Sequence, residues 1–336
     1  MKIVADDKIP FIREKLALLA DDVVYLPGGT IGAADVRDAD ALVVRTRTRC
    51  DSRLLDGSRV QLVATATIGF DHLDVAYLQQ AGIRWTNCPG CNSGSVAQYV
   101  ECSLLLLARR GLQLHRSTIG IVGCGHVGSK VRAVAERLGL RVLVCDPLLG
   151  DPSFVSMDVI ERESDVITFH VPLTREGRYA TYHLADEAFF RRLSRVPYII
   201  NTSRGEVVDG GSLLSALQAG RVRDAVIDVW EHEPHIDREL LQRVLIGTPH
   251  IAGYSADGKV NADNMVVDAL CRHFRLPHPG VIVPPPLPVG FSYSGSPLDL
   301  YNPMDDSRKL KADPSAFEAL RNHYPLRRET FAVEKV

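Results

Sequence analysis

Along the chain, short apolar runs alternate with stretches in which apolar residues recur every three or four positions. Runs of four or five apolar residues are typical of strands buried on both faces of a parallel sheet, and the other spacing is typical of amphipathic helices. The first part of the chain predicts helices at residues 11–19 and 75–80, and strands at residues 2–5, 23–26, 41–45, 61–65 and 83–86. This alternation predicts a parallel sheet covered by helices on both faces.

A second series of strands follows a long helix predicted at residues 95–112. Its strands are predicted at residues 118–122, 141–145, 166–169, 198–201, 225–229 and 245–247. Another long helix, at residues 256–274, closes the series. We therefore expect a chain that leaves its first domain, builds a second and returns, with a cleft between the two. The expected bounds are 1–94 with 252–280 for the first domain and 95–251 for the second.

The turn after the strand at 118–122 carries the first candidate chemistry. Gly123 suits a tight turn, Gly125 lets backbone approach a pyrophosphate, and Gly128 lets the following helix pack on the strand. Asp146 ends the next predicted strand, 18 residues beyond Gly128, where a carboxylate accepts hydrogen bonds from ribose hydroxyls. The arrangement predicts a dinucleotide site that prefers NAD to NADP, because the carboxylate repels a 2′-phosphate.

Three further polar side chains follow later strands of the same series. Arg204, Glu233 and His250 come after the strands at 198–201, 225–229 and 245–247, so they lie on one rim of a parallel sheet. An arginine binds a carboxylate, a histidine moves a proton near neutral pH, and a carboxylate beside it keeps the imidazolium charged. The set predicts hydride transfer from a 2-hydroxy acid to nicotinamide, with His250 taking the hydroxyl proton.

These assignments have competitors among neighbouring residues. Glu231 is the alternative to Glu233 as the partner of the histidine. The alternatives to His250 are His72, His170 and His232. The proline before His250 and the Ile-Ala-Gly after it, at a strand end, favour His250.

Composition excludes several other classes of protein. The formal net charge is −2, from 39 basic and 41 acidic side chains, so no basic field exists to bind nucleic acid or an anionic membrane. The apolar runs are too short to span a bilayer, and acidic residues come too early for a signal peptide, which predicts a cytoplasmic protein. Seven cysteines fit reduced thiols. The pair Cys88 and Cys91 has no second pair, so we expect no metal site.

The motifs resemble those of the D-isomer-specific 2-hydroxyacid dehydrogenases. The resemblance rests on the segments 120–128, 203–209, 228–234 and 248–250. A narrower group of the family, acting on a phosphorylated hydroxy acid, is similar at 44–46, 66–72, 89–92, 250–259 and 316–329. Nearly the whole chain is covered.

The resemblance implies an α/β fold of two doubly wound parallel-sheet domains, a flavodoxin-like substrate domain and a Rossmann NAD domain. It also implies a homodimer. Six prolines at 277–288 predict an extended linker, so we assign residues 281–336 to a Pro-rich linker and a small C-terminal dimerisation region, with a helix at 316–324.

By the same resemblance, Arg204, Glu233 and His250 are active-site residues. The residues implied to line the NAD cofactor are Gly123, Gly125, His126, Val127, Gly128, Asp146, Val171, Thr202, Ser203, Asp228 and Gly253. Those implied to contact substrate are Thr46, Thr67 and Tyr254.

The substrate phosphate requires cations in the first domain. Arg45, Arg47 and Arg49 alternate at the end of a predicted strand, where alternate side chains share one face unless the turn starts before Arg49. The alternative is that the three arginines form a solvated edge. We expect Arg45 to be the principal phosphate contact and Arg47 a weaker one, because a guanidinium forks onto phosphate. The alternative is the basic pair at 327–328 of a second subunit.

Two other functions stay open. A sibling group of the family oxidises a three-carbon phosphorylated hydroxy acid, but the segments 254–259 and 316–329 argue against it. A non-catalytic NAD-sensing binding protein on the same scaffold is the alternative of another class. The intact set of Arg204, Glu233 and His250 argues against that alternative.

Overall fold

The computed structural model describes residues 1–329, which form two compact units. The first unit comprises Met1–Asn92 and Ser255–Leu287, and the second comprises Ser93–Tyr254 and the chain from Pro288 onward. Each unit has its own parallel sheet. The expected α/β fold of two parallel-sheet domains is therefore confirmed.

The strands of the described chain, β1 to β11 in order, are Lys2–Asp6, Asp22–Leu26, Ala41–Val44, Leu62–Thr65, Arg84–Thr86, Thr118–Val122, Arg141–Cys145, Val166–Phe169, Tyr198–Asn201, Asp224–Ile227 and Ile246–Gly247. The α-helices, α1 to α13 in order, are Arg13–Leu19, Ala33–Val36, Ser52–Leu55, Val75–Gln80, Ser93–Ala108, His126–Arg137, Met157–Glu163, Glu187–Arg192, Gly210–Gln218, Arg238–Arg243, Ala256–Phe274, Pro303–Ala312 and Phe317–Asn322. Among these helices, none is long and apolar enough to cross a membrane.

The first unit has the strand order β2-β1-β3-β4-β5, which is the flavodoxin-like order. Its central strands β3 and β4 are fully buried, and β3 is apolar throughout, because both faces of the sheet are covered. Ile3 and Val43 belong to the cluster that packs under α1 and α11. Val4 and Leu42, which are register partners, point to the opposite face and pack with α2 to α4.

The second unit has the order β11-β10-β9-β8-β6-β7. After β7 the chain crosses to the other side of β6, so the turn that follows β6 lies at the point where the strand order reverses. Ile121 and Ile200 face the cluster formed with α5 and α6. Ile167 and Phe169 face the opposite cluster, formed with α7 to α10. Ligands bind beyond the carboxyl ends of strands at such a reversal.

The C-terminal residues pack on the second unit through a helix that the sequence pattern did not predict. Helix α12 begins with Pro303 at its first turn, after Asn302, whose side chain accepts a hydrogen bond from the Met304 N–H. Leu310 is fully buried, and Ser307 accepts a hydrogen bond from the Gly247 N–H at 3.0 Å. The expected helix at 316–324 is present as α13. The dimerisation role of this region stays a prediction.

Candidate active site

The glycine turn after β6 is shaped by close backbone contacts. Gly123 has a φ of 88°, and a Cβ there would lie 2.6 Å from the carbonyl oxygen of His170. A Cβ on Gly128 would lie 2.0 Å from the carbonyl oxygen of Gly123. In contrast, a Cβ on Gly125 would meet nothing within 4 Å. Glycine is therefore required at 123 and 128 for the turn, while Gly125 leaves open space at the N-terminus of α6, which suits an anionic pyrophosphate.

Asp146 lies beside this turn, at the end of β7. Its Oδ2 accepts a hydrogen bond from the Cys124 N–H at 2.8 Å, and its Oδ1 accepts one from the Leu148 N–H at 3.1 Å. The carboxylate is thus fixed next to the glycines by the backbone on both sides of it. This placement fits a dinucleotide whose ribose hydroxyls bind the carboxylate.

Other expected cofactor residues lie at neighbouring strand ends of the same sheet. Val171 follows β8, and its side chain lies 2.7 Å from the position of a Cβ built on Gly123. Thr202 follows β9, and its hydroxyl lies 3.5 Å from Nδ1 of His170. Burial lowers the pKa of His170 to about 3, so this ring is neutral. The next residue, Ser203, donates its hydroxyl to Asn201 at 2.9 Å.

Arg204 is held at the end of β9 by its own loop. Its Nη1 donates to the carbonyl oxygen of Ser203 at 2.8 Å, and its carbonyl accepts from the Asn201 side chain at 2.9 Å. A Cβ on Gly205 would lie 2.0 Å from the carbonyl carbon of Trp230. Only glycine fits there, so the segment carrying Arg204 runs directly against the loop that carries the glutamates.

Asp228 fixes the loop that contains His250. It is 1% exposed, and its carboxylate accepts hydrogen bonds from the Thr248 hydroxyl at 2.6 Å and from the N–H groups of Ile251 and Ala252 at 2.8 and 2.9 Å. Burial raises the pKa of Asp228 despite these bonds. His250 has a left-handed φ of 57°, and its N–H donates to the Asp228 carbonyl at 2.8 Å. The histidine therefore occupies a strained backbone position that its neighbours enforce.

His250 and Glu233 form a close pair. Nδ1 of His250 lies 2.8 Å from Oε2 and 3.1 Å from Oε1 of Glu233, and Oε1 also accepts the Trp230 N–H at 3.0 Å. Burial alone would raise the pKa of Glu233, but the hydrogen bond and charge of His250, the Trp230 N–H and Arg321 together lower it. A carboxylate on Nδ1 keeps the proton on that nitrogen, so Nε2 is the atom that exchanges a proton with a ligand.

The competing residues lie elsewhere. Glu231 accepts hydrogen bonds from His183 Nε2 at 2.8 Å and from the Gly210 N–H at 2.9 Å, so it joins a different pair of loops. His72 lies in the first unit and bonds the Thr65 hydroxyl at 3.0 Å. The structure thus brings Glu233, and not Glu231, to His250.

The structure adds Arg321, a residue without a predicted role, to the site. Its Nε donates to the Tyr254 hydroxyl at 3.3 Å, and its Nη1 lies 3.7 Å from Oε2 of Glu233. A signal was present in the sequence, because Phe317, Leu320 and Arg321 share one face of α13. Phe317 is buried, so this face had to point inward.

The expected substrate contacts of the first unit lie at the ends of β3 and β4. Arg45 pairs through Nε with the buried Asp6 at 3.3 Å. Thr67 bonds the Thr65 hydroxyl at 2.7 Å and donates to the Gly69 carbonyl at 2.8 Å. Because β3 ends at Val44, the expectation that Arg45, Arg47 and Arg49 share one strand face is wrong.

The tail alternative for the phosphate is also wrong for Arg327. This residue is 7% exposed, and its Nη1 donates to the carbonyls of Ile251 and Tyr254 at 3.1 and 2.8 Å. Its guanidinium also lies 4.0 Å from the ring centroid of Tyr301. The guanidinium of Arg327 is buried and bound within its own chain, so it is not available to a second subunit.

Comparison with known proteins first defines the class. Residues 105–252 match the model of the D-isomer specific 2-hydroxyacid dehydrogenase NAD binding domain. The chain is similar to an NAD- and lactate-bound D-lactate dehydrogenase from Aquifex aeolicus, with a TM-score of 0.66 and 25% identity over 82% of this chain and 96% of that one. It is also similar to an NAD⁺-bound 3-phosphoglycerate dehydrogenase from Entamoeba histolytica, with a TM-score of 0.69 and 27% identity over 82% and 95%. The fold and the site are those of an NAD-dependent dehydrogenase.

More similar relatives narrow the class. Erythronate-4-phosphate dehydrogenase from Bacteroides thetaiotaomicron is 54% identical over 98% of this chain and 97% of its own length. The enzymes of that name from Porphyromonas gingivalis and Escherichia coli O157:H7 are 42% and 41% identical, over 100% and 98% of this chain and 95% and 92% of their own lengths. The chain therefore belongs to the erythronate-4-phosphate dehydrogenases of the D-isomer specific 2-hydroxyacid dehydrogenase family.

Proposed function

We propose that this protein catalyses the NAD-dependent oxidation of 4-phospho-D-erythronate to (R)-3-hydroxy-2-oxo-4-phosphobutanoate, a step of pyridoxal 5′-phosphate biosynthesis. The observation that carries the proposal is the 2.8 Å contact between His250 and Glu233, in a chain 54% identical to relatives of that name. The sheet of the second unit also carries the glycine turn and Asp146 at the carboxyl ends of its strands.

In this proposal His250 is the base. Its Nε2 accepts the proton of the C2 hydroxyl as the C2–O bond becomes a carbonyl, and Glu233 stabilises the imidazolium that forms. Bound NAD supplies the acceptor for the hydride that leaves C2. Arg204 binds the substrate carboxylate and the developing carbonyl through its forked guanidinium.

The other contacts follow the family resemblance. The cofactor would be held by Gly123, Gly125, His126, Val127, Gly128, Asp146, Val171, Thr202, Ser203, Asp228 and Gly253. Thr46, Thr67 and Tyr254 would contact substrate, with Arg45 as the principal phosphate contact and Arg47 as the weaker one.

We also propose that the enzyme is a cytoplasmic homodimer. All seven cysteines are free thiols, and six of them are buried, which agrees with a reducing compartment. The family resemblance assigns dimerisation to the C-terminal region. Light scattering on the purified protein should give twice the chain mass, and a monomer at micromolar concentration would contradict the dimer.

The test of the activity is a comparison of substrates. Purified protein receives NAD with either 4-phosphoerythronate or 3-phosphoglycerate, and NADH formation is followed by fluorescence. We expect the catalytic efficiency to be at least about tenfold higher for the four-carbon acid, because a misplaced phosphate contact costs about 1.4 kcal/mol or more. Preference for 3-phosphoglycerate would favour the sibling activity. Binding of NADH without turnover of any hydroxy acid would favour a non-catalytic NAD-sensing protein.

A further inference from the structure

The C-terminal helix α13 brings the guanidinium of Arg321 to the pair of Glu233 and His250. Oε2 of Glu233 is shared, since it lies 2.8 Å from His250 Nδ1 and 3.7 Å from Arg321 Nη1. The side chains of Arg321 and Glu233 are 26% and 19% exposed, so solvent screens this contact only in part. The three side chains therefore form a row of cation, carboxylate and imidazole.

Packing around α13 holds Arg321 in this position. Phe317, at the start of the helix, is 1% exposed within the core of the second unit. The rings of Tyr254 and Tyr324 pack edge to face at 6.1 Å. Just beyond the helix, Arg327 donates to the Tyr254 carbonyl and to the Tyr324 hydroxyl at 2.8 and 3.3 Å. Phe317 therefore anchors the start of the helix in the core, and residues just beyond the helix bind the loop that follows His250.

We propose that Arg321 is a positioning residue of the active site, which limits the proton affinity of His250 through Glu233 and orients the hydroxyl of Tyr254. This inference rests on the proposed role of His250 as the base. It gives the C-terminal helix a part in catalysis that is separate from any part in dimerisation.

The charge of Arg321 changes the proton affinity of His250 in one direction. The carboxylates of Glu233 and Asp228 interact directly with the charge of His250. Arg321 interacts with the same two carboxylates and with Tyr254. Glu233 attracts a proton to the imidazole, and the cation of Arg321 opposes that attraction because like charges repel. Without Arg321, His250 would hold its proton to higher pH, and less of the enzyme would carry a neutral base at neutral pH.

The orienting part follows from one hydrogen bond. Arg321 Nε donates to the Tyr254 oxygen at 3.3 Å. An oxygen that accepts this bond directs its own hydrogen elsewhere. Tyr254 is therefore presented as a donor, which suits an oxygen of an anionic substrate.

The variants that test this proposal are Arg321→Met, which removes the cation, and Arg321→Lys, which keeps it. Arg308→Met is the matched control, because Arg308 is an exposed arginine of α12 that pairs with Asp305. Two quantities are measured on the full chain. One is the midpoint of the ¹⁵N NMR titration of the His250 imidazole, assigned by loss of the signal in His250→Gln. The other is the acid limb of the turnover profile for 4-phosphoerythronate oxidation.

In Arg321→Met we expect the titration midpoint and the acid limb to move together toward higher pH, by about half to one pH unit. Arg321→Lys should keep both pH values close to those of the wild type, and Arg308→Met should leave them unchanged. An unmoved midpoint in Arg321→Met overturns the inference. So does a higher KM for the phosphorylated substrate with both pH values unchanged, since that result makes Arg321 a phosphate contact instead. A midpoint that moves while the acid limb stays fixed supports the effect of Arg321 on His250, but it contradicts the role of His250 as the base.

Discussion

Replacement of Glu233 by glutamine isolates the charge of the carboxylate. Both carboxylate oxygens lie within 3.1 Å of His250 Nδ1, and Oε1 also accepts the Trp230 N–H. Glutamine has nearly the same shape, and its remaining oxygen can still accept one of these bonds. The substitution therefore removes the negative charge beside the imidazole while leaving the packing in place.

The size of the effect follows from the contact. A hydrogen bond to a charged group contributes about 1.5–3 kcal/mol, against about 0.5–1.5 kcal/mol for a neutral pair. The two ranges differ by about 1.0–1.5 kcal/mol, which corresponds to about one pH unit and to about tenfold in rate. Only 19% of the Glu233 side chain is exposed, so solvent screens its charge weakly.

The assay is the turnover number for NAD reduction, measured from about pH 5 to 9 at saturating substrate. Oxidation requires a neutral base, so activity falls on the acid side as the base takes up a proton. In Glu233→Gln we expect this acid limb to move about one pH unit toward lower pH, with about tenfold lower maximal turnover. This direction is opposite to that expected for Arg321→Met.

Glu231→Gln is the control, because Glu231 bonds His183 and Gly210 instead of His250. It should leave the acid limb where it is. An acid limb that stays fixed in Glu233→Gln, or that moves equally in both variants, would refute the reasoning.

Three further predictions concern other parts of the chain. Asp146→Asn keeps an acceptor for the Cys124 N–H but loses the charge, so the preference for NAD over NADP should narrow by about tenfold or more in catalytic efficiency; equal preference in both proteins would contradict it. Arg45→Met should raise KM for 4-phosphoerythronate by about tenfold or more, and Arg47→Met should raise it less. Neither variant should change KM for unphosphorylated erythronate. A larger increase in Arg47→Met than in Arg45→Met would contradict Arg45 as the principal phosphate contact. Burial raises the pKa of Asp263 from 3.8 to about 7, so the folded state holds this proton more tightly than the unfolded state does. The resulting contribution to the free energy of unfolding is complete below about pH 4 and is lost as pH rises toward 7. Asp263→Asn should therefore stabilise the protein more at pH 8 than at pH 5, by roughly 2 kcal/mol, and thermal melts with equal shifts at the two pH values would rule this out.

Much of the second unit could be predicted because local rules determine it. The strand at 166–169 has three apolar residues and one threonine, a composition typical of a strand buried on both faces. In the structure this strand begins and ends at the same residues. Once the strands are parallel, the residues that follow them must lie on one rim, whatever the side-chain details. That is why the glycine turn, Arg204 and His250 could be placed on one sheet from spacing alone.

What the sequence missed depends on packing between distant segments. Helix α12 has little apolar periodicity, since Leu310 and Met304 supply most of its apolar surface, and it is stabilised by contact with the second unit. Arg327 looked like a surface cation, yet the carbonyls that it binds belong to residues more than 70 positions earlier. Arg321 reaches Glu233 only because α13 docks in one orientation, and a pattern within the helix cannot show what lies beyond its buried face.

The most direct test of the account is the His250→Ala variant, measured for turnover and for NADH affinity in the same preparation. Removal of a positioned base lowers turnover by about 100-fold to 10,000-fold. NADH binding, followed by fluorescence titration, should change by less than about threefold, since the cofactor contacts that we propose lie on other residues. A His250→Ala enzyme that turns over 4-phosphoerythronate at near the wild-type rate would show that another group takes the proton, and the role assigned to the pair of His250 and Glu233 would be wrong.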